Sequence, residues 1–432
     1  MLAGPFLTDL DSRAQVKGSR DPLGIQQIWT RLGRHVIGNL TTVSNSVRDF
    51  TTLLLGYYFA ALLAEETGPG SELSTFLKWE QLAAYARATA NKDYAFRGTE
   101  RVKRHLSDGE MVTISDDRAW QILGNQKIYG LWGLYTMPAR ASGLVDGEPT
   151  RLTPPVLDYL QQNYLPKLEN GAGKGTRRIL DLLRPRSSKV DVGGREAPVI
   201  HSIGSVLRRR LPAKEKEFYR FHLLYGGPAD ATDGRQQQLA ALLDDSLDRE
   251  DFSWSTAMVG SLAKNARSRG EDWHALAYRL GSIRTSETLL APISTLFTHL
   301  LGLDGKSMDS VVKRVREAWG NGLRTVDTQT IRELRGELSG GDSQTGDRWI
   351  GIAESISKGD YAHLIDLLIE QNQNVMASRG GAPWLEKRGT KLHVRFRDEQ
   401  GSLPSREELS TLWRFPYFLD SLRSVAIAVK EN

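Results

Sequence analysis

The chain has no cysteine. That absence excludes a disulfide scaffold, thiolate zinc sites, iron–sulfur clusters and thiol nucleophiles. Long apolar runs are missing too. The uncharged run at residues 50–64 has about 15 residues, against about 20 for a membrane span. No basic n-region with a small-residue cleavage site opens the chain, so no export signal and a cytoplasmic location are expected. What is present is an ordinary globular mix, 40% apolar and 25% charged over 432 residues. This excludes disordered and fibrous classes and allows two to four domains.

Catalytic signatures are scarce. A phosphate loop needs G-x-x-x-x-G-K-[ST] so that loop amides can wrap the phosphates. At Gly173-Lys174 the first glycine position holds Leu168, and at Gly305-Lys306-Ser307 it holds Leu300. No G-x-S-x-G elbow occurs. The eight histidines are scattered, and none shows the i, i+4 pairing of a helical zinc site. The D-x-K pattern of restriction-type nucleases occurs at Asp304-Gly305-Lys306, in a glycine turn. Asp9 and Asp11 with Lys17 could hold a metal, which keeps open a metal-dependent nuclease of unfamiliar motif. No cofactor is expected.

Charge is segregated. Lys plus Arg is 57 against 52 acids, a net +5. Residues 177–216 carry about eleven cations and four acids, and Asp244–Asp251 is acidic. Such clustering suggests a polyanion partner.

Hydrophobic spacing predicts mainly helices. Ile25, Ile28, Trp29, Leu32 and Val36 share one helix face after the Asp21-Pro22 start signal. Residues 50–64 read as a buried core helix, 76–90 as another. A helix is expected from near Arg118, capped by Asp116, with Trp120, Leu123, Ile128 and Leu131 apolar. Asp146-Gly147 predicts a hairpin, and Thr153-Pro154 a cap and first residue of the next helix. Residues 239–247, 289–301 and 311–319 read as helices. Residues 384–396 read as a second hairpin whose Leu392, Val394 and Phe396 face inward and whose Lys391, His393, Arg395 and Arg397 face outward.

The expected fold class is therefore mainly α, multi-domain, with a small α+β module and a C-terminal β-hairpin. The expected segments are a helical domain 1–90, the module 91–169, a basic glycine-rich linker 170–197, and a mostly helical domain 198–432.

Gly143-Leu144-Val145, the turn Asp146 to Thr150, and Arg151-Leu152-Thr153-Pro154 together resemble the end of a winged-helix domain. That resemblance implies a recognition helix before the wing and DNA contacts from both. Ser19-Arg20-Asp21-Pro22-Leu23-Gly24, Gly33-Arg34, Asn39-Leu40-Thr41-Thr42 and Arg379-Gly380-Gly381-Ala382-Pro383-Trp384 resemble proteins of bacterial anti-phage defence gene clusters. This implies a non-motor component beside a helicase or nuclease, and carries over no catalytic residue.

The leading expectation is a non-enzymatic DNA-binding or DNA-sensing subunit of a multi-protein bacterial defence system, with no membrane partner. Its candidate nucleic-acid contacts are Arg118, Lys127, Arg140 and Arg151 on the module, Arg177, Arg178, Arg208, Arg209 and Arg210 in the basic run, and Lys391, Arg395 and Arg397 on the hairpin. The alternative is a helical scaffold that binds only proteins, through Trp413, Arg414 and Tyr417.

Overall fold

The computed structural model describes residues 21–68, 70–169, 174–228, 233–244, 247, 252–397 and 402–430. Asp9, Asp11 and Lys17 lie outside these, as do Asp245, Asp248, Glu250 and Asp251 of the acidic run. Helices take 63% of the residues and strands 6%, so the fold is mainly α, as expected. The chain divides into two compact units. Unit 1 holds Met1–Val36 and Asp248–Tyr417, and unit 2 holds Ile37–Leu247 and Phe418–Asn432.

Unit 2 is built on two antiparallel neighbours, the helices Val47–Thr67 and Glu72–Ala90. Ser46 caps the first through the Asp49 N–H. Both helices are buried nearly all round, and besides their apolar residues they bury Arg48 and Asp49 on the first and Lys78, Glu80, Gln81 and Arg87 on the second. Gly56 permits the close crossing, since a Cβ there would lie 2.6 Å from the Phe76 ring. Val47–Thr67 is long and apolar enough to cross a membrane, the one such helix among the described residues. In this fold 83% of its apolar window is buried.

Strand β1 (Met111–Ser115) follows. The expected helix from Arg118 does not form. Residues 116–125 are turns, Asn125 caps a single helical turn Gln126–Tyr129, and Leu131–Ala141 is the next helix. Strands β2 (Val145–Asp146) and β3 (Arg151–Leu152) make the predicted hairpin. The helix Pro154–Asn163 begins with proline as predicted, but the Thr153 hydroxyl donates to the Gly143 carbonyl instead of capping it.

The expected linker is folded where it is described. Gly175–Leu183 is a helix, and β4 (Ser187–Asp191) pairs antiparallel with β1, Ile114 opposite Ser188. The helix Ala197–Val206 packs on Glu72–Ala90. Residues 170–173 lie outside the described residues. Composition suggested a linker because the partner strand is far away in sequence. The last helix, Leu419–Val429, returns to unit 2 and buries Leu422, Val425 and Val429.

In unit 1 the helix Ile25–Arg34 buries Ile25, Ile28, Trp29 and Leu32 of the predicted stripe, and Val36 is buried just beyond its end. The long helix His274–Leu300 pairs with Thr256–Ser268. The predicted hairpin forms from β5 (Leu385–Arg388) and β6 (Lys391–Val394). Gly389, at φ 59°, supplies the left-handed turn residue it needs.

Candidate nucleic-acid interface

Arg208, Arg209 and Arg210 do not lie on a helix. They form the loop between the helices Ala197–Val206 and Ala213–Tyr219, and all three are exposed. Their side chains make no hydrogen bond or ion pair among the described residues. What fixes this loop is buried beneath it. Arg48, on the core helix, donates its Nε–H to the Arg208 carbonyl and an Nη2–H to the Arg210 carbonyl at 3.2 Å. The same guanidinium holds Glu215 by two bonds, 2.5 and 3.1 Å. Both partners are at least nine-tenths buried. Tyr164 also donates to Glu215, and Thr51 bonds Tyr219 at 2.7 Å. Burial, then the nearby Tyr219 and Glu215, pushes the Tyr164 phenol well above its ordinary range, so it stays a donor. A bidentate charged pair inside the core thus clamps two carbonyls of the loop, and three cations stand outside.

The neighbouring cations divide into exposed and occupied. Arg177 is exposed on the helix Gly175–Leu183. Arg178, one residue on, is tied to Glu196 at 2.5 Å, and Glu196 also accepts from the Asp191 N–H. Arg178 therefore holds the β4 end in place.

On the module, Lys127 and Arg118 are exposed. Arg140 turns inward to the hairpin, donating to the Gly147 carbonyl at 3.1 Å and to Thr150 at 2.9 Å. It is the only charged residue of the helix Leu131–Ala141. Arg151 pairs with Glu72 at 3.3 Å. Both arginines are engaged within unit 2, and the helix Leu131–Ala141 before the hairpin holds no other cation.

The outward row of the second hairpin exists, but acids neutralise it. Arg395 reaches Glu386 at 2.8 Å, and Arg397 reaches Asp304 at 2.5 Å. His393 lies 3.6 Å from Asp304. Asp304 also accepts from the Val394 N–H at 2.9 Å. That hydrogen bond, with Arg397 beside it, holds its carboxyl below the usual range. The D-x-K pattern is a strand anchor. Lys391 is exposed.

The proposed protein-docking segment is largely internal. Tyr417 is 0% exposed and donates to Glu287 at 2.8 Å. The Arg414 and Phe415 N–H groups donate to the same buried carboxylate. Trp413 is half-buried against Trp254 and Tyr417, with ring centroids 6.4 and 5.4 Å away. Arg414 alone presents an exposed side chain. Desolvation lifts the Glu287 carboxyl to about 7.

Sequence reasoning missed the two residues that build the arginine loop, Arg48 and Glu215. They are far apart in the chain and carry no local motif. It also placed Trp120 and Ile128 inside, where the structure exposes both. Among the described residues, no three His, Asp or Glu side chains are grouped to hold a metal. No protein family, curated protein or solved structure matches the chain.

Proposed function

We propose that the chain is a DNA-binding subunit, acting through unit 2 by binding rather than by chemistry of its own. The observation that carries this reading is the loop of three exposed arginines clamped from below by the buried Arg48–Glu215 pair. Clustered surface cations repel one another, and a polyanion relieves that repulsion. A loop already fixed loses little entropy when it binds. Arg177 and Lys127 add exposed charge in the same unit.

The order helix, two-residue strands, helix across residues 131–163 supports a winged-helix-like module. In this reading Arg140 and Arg151 brace the wing, and phosphate contacts fall to the loop. Membership of a multi-protein defence system rests on the sequence resemblance alone.

The test is equilibrium binding of the purified chain to fluorescent duplex and single-stranded DNA at 50 and 200 mM salt. Steep weakening with salt is the expected result, because each neutralised phosphate releases counterions. Absence of binding at the lower salt would refute it.

A further inference from the structure

We infer that unit 2 carries a stacking platform for single-stranded nucleic acid, made by Tyr94, Trp120 and Tyr129 with the cations among them; this rests on the nucleic-acid reading above. Large apolar side chains are rarely left exposed in groups without a partner. Here Tyr94 is 40% exposed, Trp120 46% and Tyr129 57%. They sit on two segments, 93–97 and 117–129, that the fold stitches together. Arg97 Nε donates to the Tyr129 carbonyl at 2.9 Å, and Arg101 to the Gln121 carbonyl, next to Trp120, at 2.8 Å. Gly98 lets the segments touch, since a Cβ there would lie 2.8 Å from the Ile122 carbonyl oxygen.

Each ring is mounted on a held backbone. Buried Arg87 bonds the Asp93 carboxylate and the Ala95 carbonyl, both at 2.8 Å, gripping the residues on either side of Tyr94. The Asp117 side chain accepts from the Ala119 N–H, and Gln121 donates to the Asp116 carbonyl, closing the turn that bears Trp120. Asn125 caps the helical turn that ends at Tyr129. A backbone held in this way loses little freedom when a base stacks on the ring it carries.

The charge around them selects the occupant. Lys103 Nζ lies 5.4 Å from the Tyr94 ring centroid and pairs with Glu100 at 3.1 Å, while Lys127 precedes Tyr129 by two residues and Arg118 precedes Trp120 by two. Lys127 and Arg118 are exposed. Apolar protein-docking surfaces are depleted in lysine at their centres. Alternating aromatic rings and cations suit a single strand, whose bases are free to stack while its phosphates meet charge. Duplex bases are already stacked and do not offer their faces.

The experiment compares a fluorescent oligothymidylate and a duplex of equal length on the full chain, Trp120→Ala, Tyr129→Ala and Trp120→Phe. Thermal melting of each variant checks the fold. Each alanine change is expected to weaken single-strand binding by about 5- to 100-fold. Duplex binding should stay within about two-fold, and Trp120→Phe should retain most single-strand affinity. Unchanged single-strand affinity in folded alanine variants would overturn the platform. So would equal losses on both ligands, or duplex binding with no single-strand binding, and in both cases the DNA reading stands. No binding of either ligand would end both.

Discussion

Arg48 uses its donors on Glu215, Thr51 and two loop carbonyls, and its position under three exposed arginines links folding to binding. Arg48→Met should cost about 3–5 kcal/mol, because it leaves Glu215 buried without its cation. Chemical denaturation would measure the loss. Glu287 makes a second residue-scale prediction. Its folded carboxyl titrates near 7 because burial disfavours the charge, while an unfolded glutamate titrates near 4.5. The folded state therefore holds the proton more tightly. That contribution is complete below about 4.5 and is lost as pH rises through 7. Glu287→Gln should exceed the parent by less than about 1 kcal/mol at pH 5 and by up to about 3 kcal/mol at pH 8. Melting curves at the two pH values check it, and a larger gain at pH 5 would contradict it. Glu80, also raised to about 7 by burial, pushes the parent's stability in the same direction.

At the scale of elements, periodicity was a good guide wherever one face meets the core. The stripe from Ile25 to Leu32, the alternation in β6 and the Val311–Trp319 face all fold as their spacing predicts. Where partners come from far along the chain, local pattern failed. The stretch 174–197 reads as a linker until β1 is placed beside β4. The stretch after Asp116 reads as a helix because Trp120 and Ile128 have helical spacing with Leu131, but turns and the Asn125 cap interrupt it. The hairpin cations read as a binding face because Asp304 and Glu386 were not visible as their partners. It follows that Arg395→Ala with Arg397→Ala should leave DNA affinity within about two-fold. A fluorescence titration beside a variant that combines Arg208→Ala, Arg209→Ala and Arg210→Ala decides it. A tenfold loss would return the hairpin to the interface.

For the whole molecule, the order of elements hides the division into units. The chain enters unit 2 at Ile37, leaves it after Leu247, and returns at Phe418. The closing helix packs on Ala213–Tyr219 and Arg235–Leu243. The Ser421 hydroxyl donates to the Thr41 carbonyl, and Arg220 donates to that of Val429 at 3.0 Å. A chain ended after Tyr417 should therefore lose unit 2 before unit 1. It would leave uncovered the surface now met by Leu419, Leu422, Val425 and Val429. Hydrogen exchange should show faster exchange in Val47–Thr67 than in His274–Leu300. The reverse order would contradict the division.

The central claim is that the clamped arginine loop meets phosphate. The most direct measurement is the slope of log affinity against log salt for duplex DNA, on the parent chain and on Arg208→Ala, Arg209→Ala, Arg210→Ala combined. Three lost phosphate contacts should reduce the slope by about 3, at roughly 0.9 per contact. An unchanged slope in a folded variant would remove the loop from the interface.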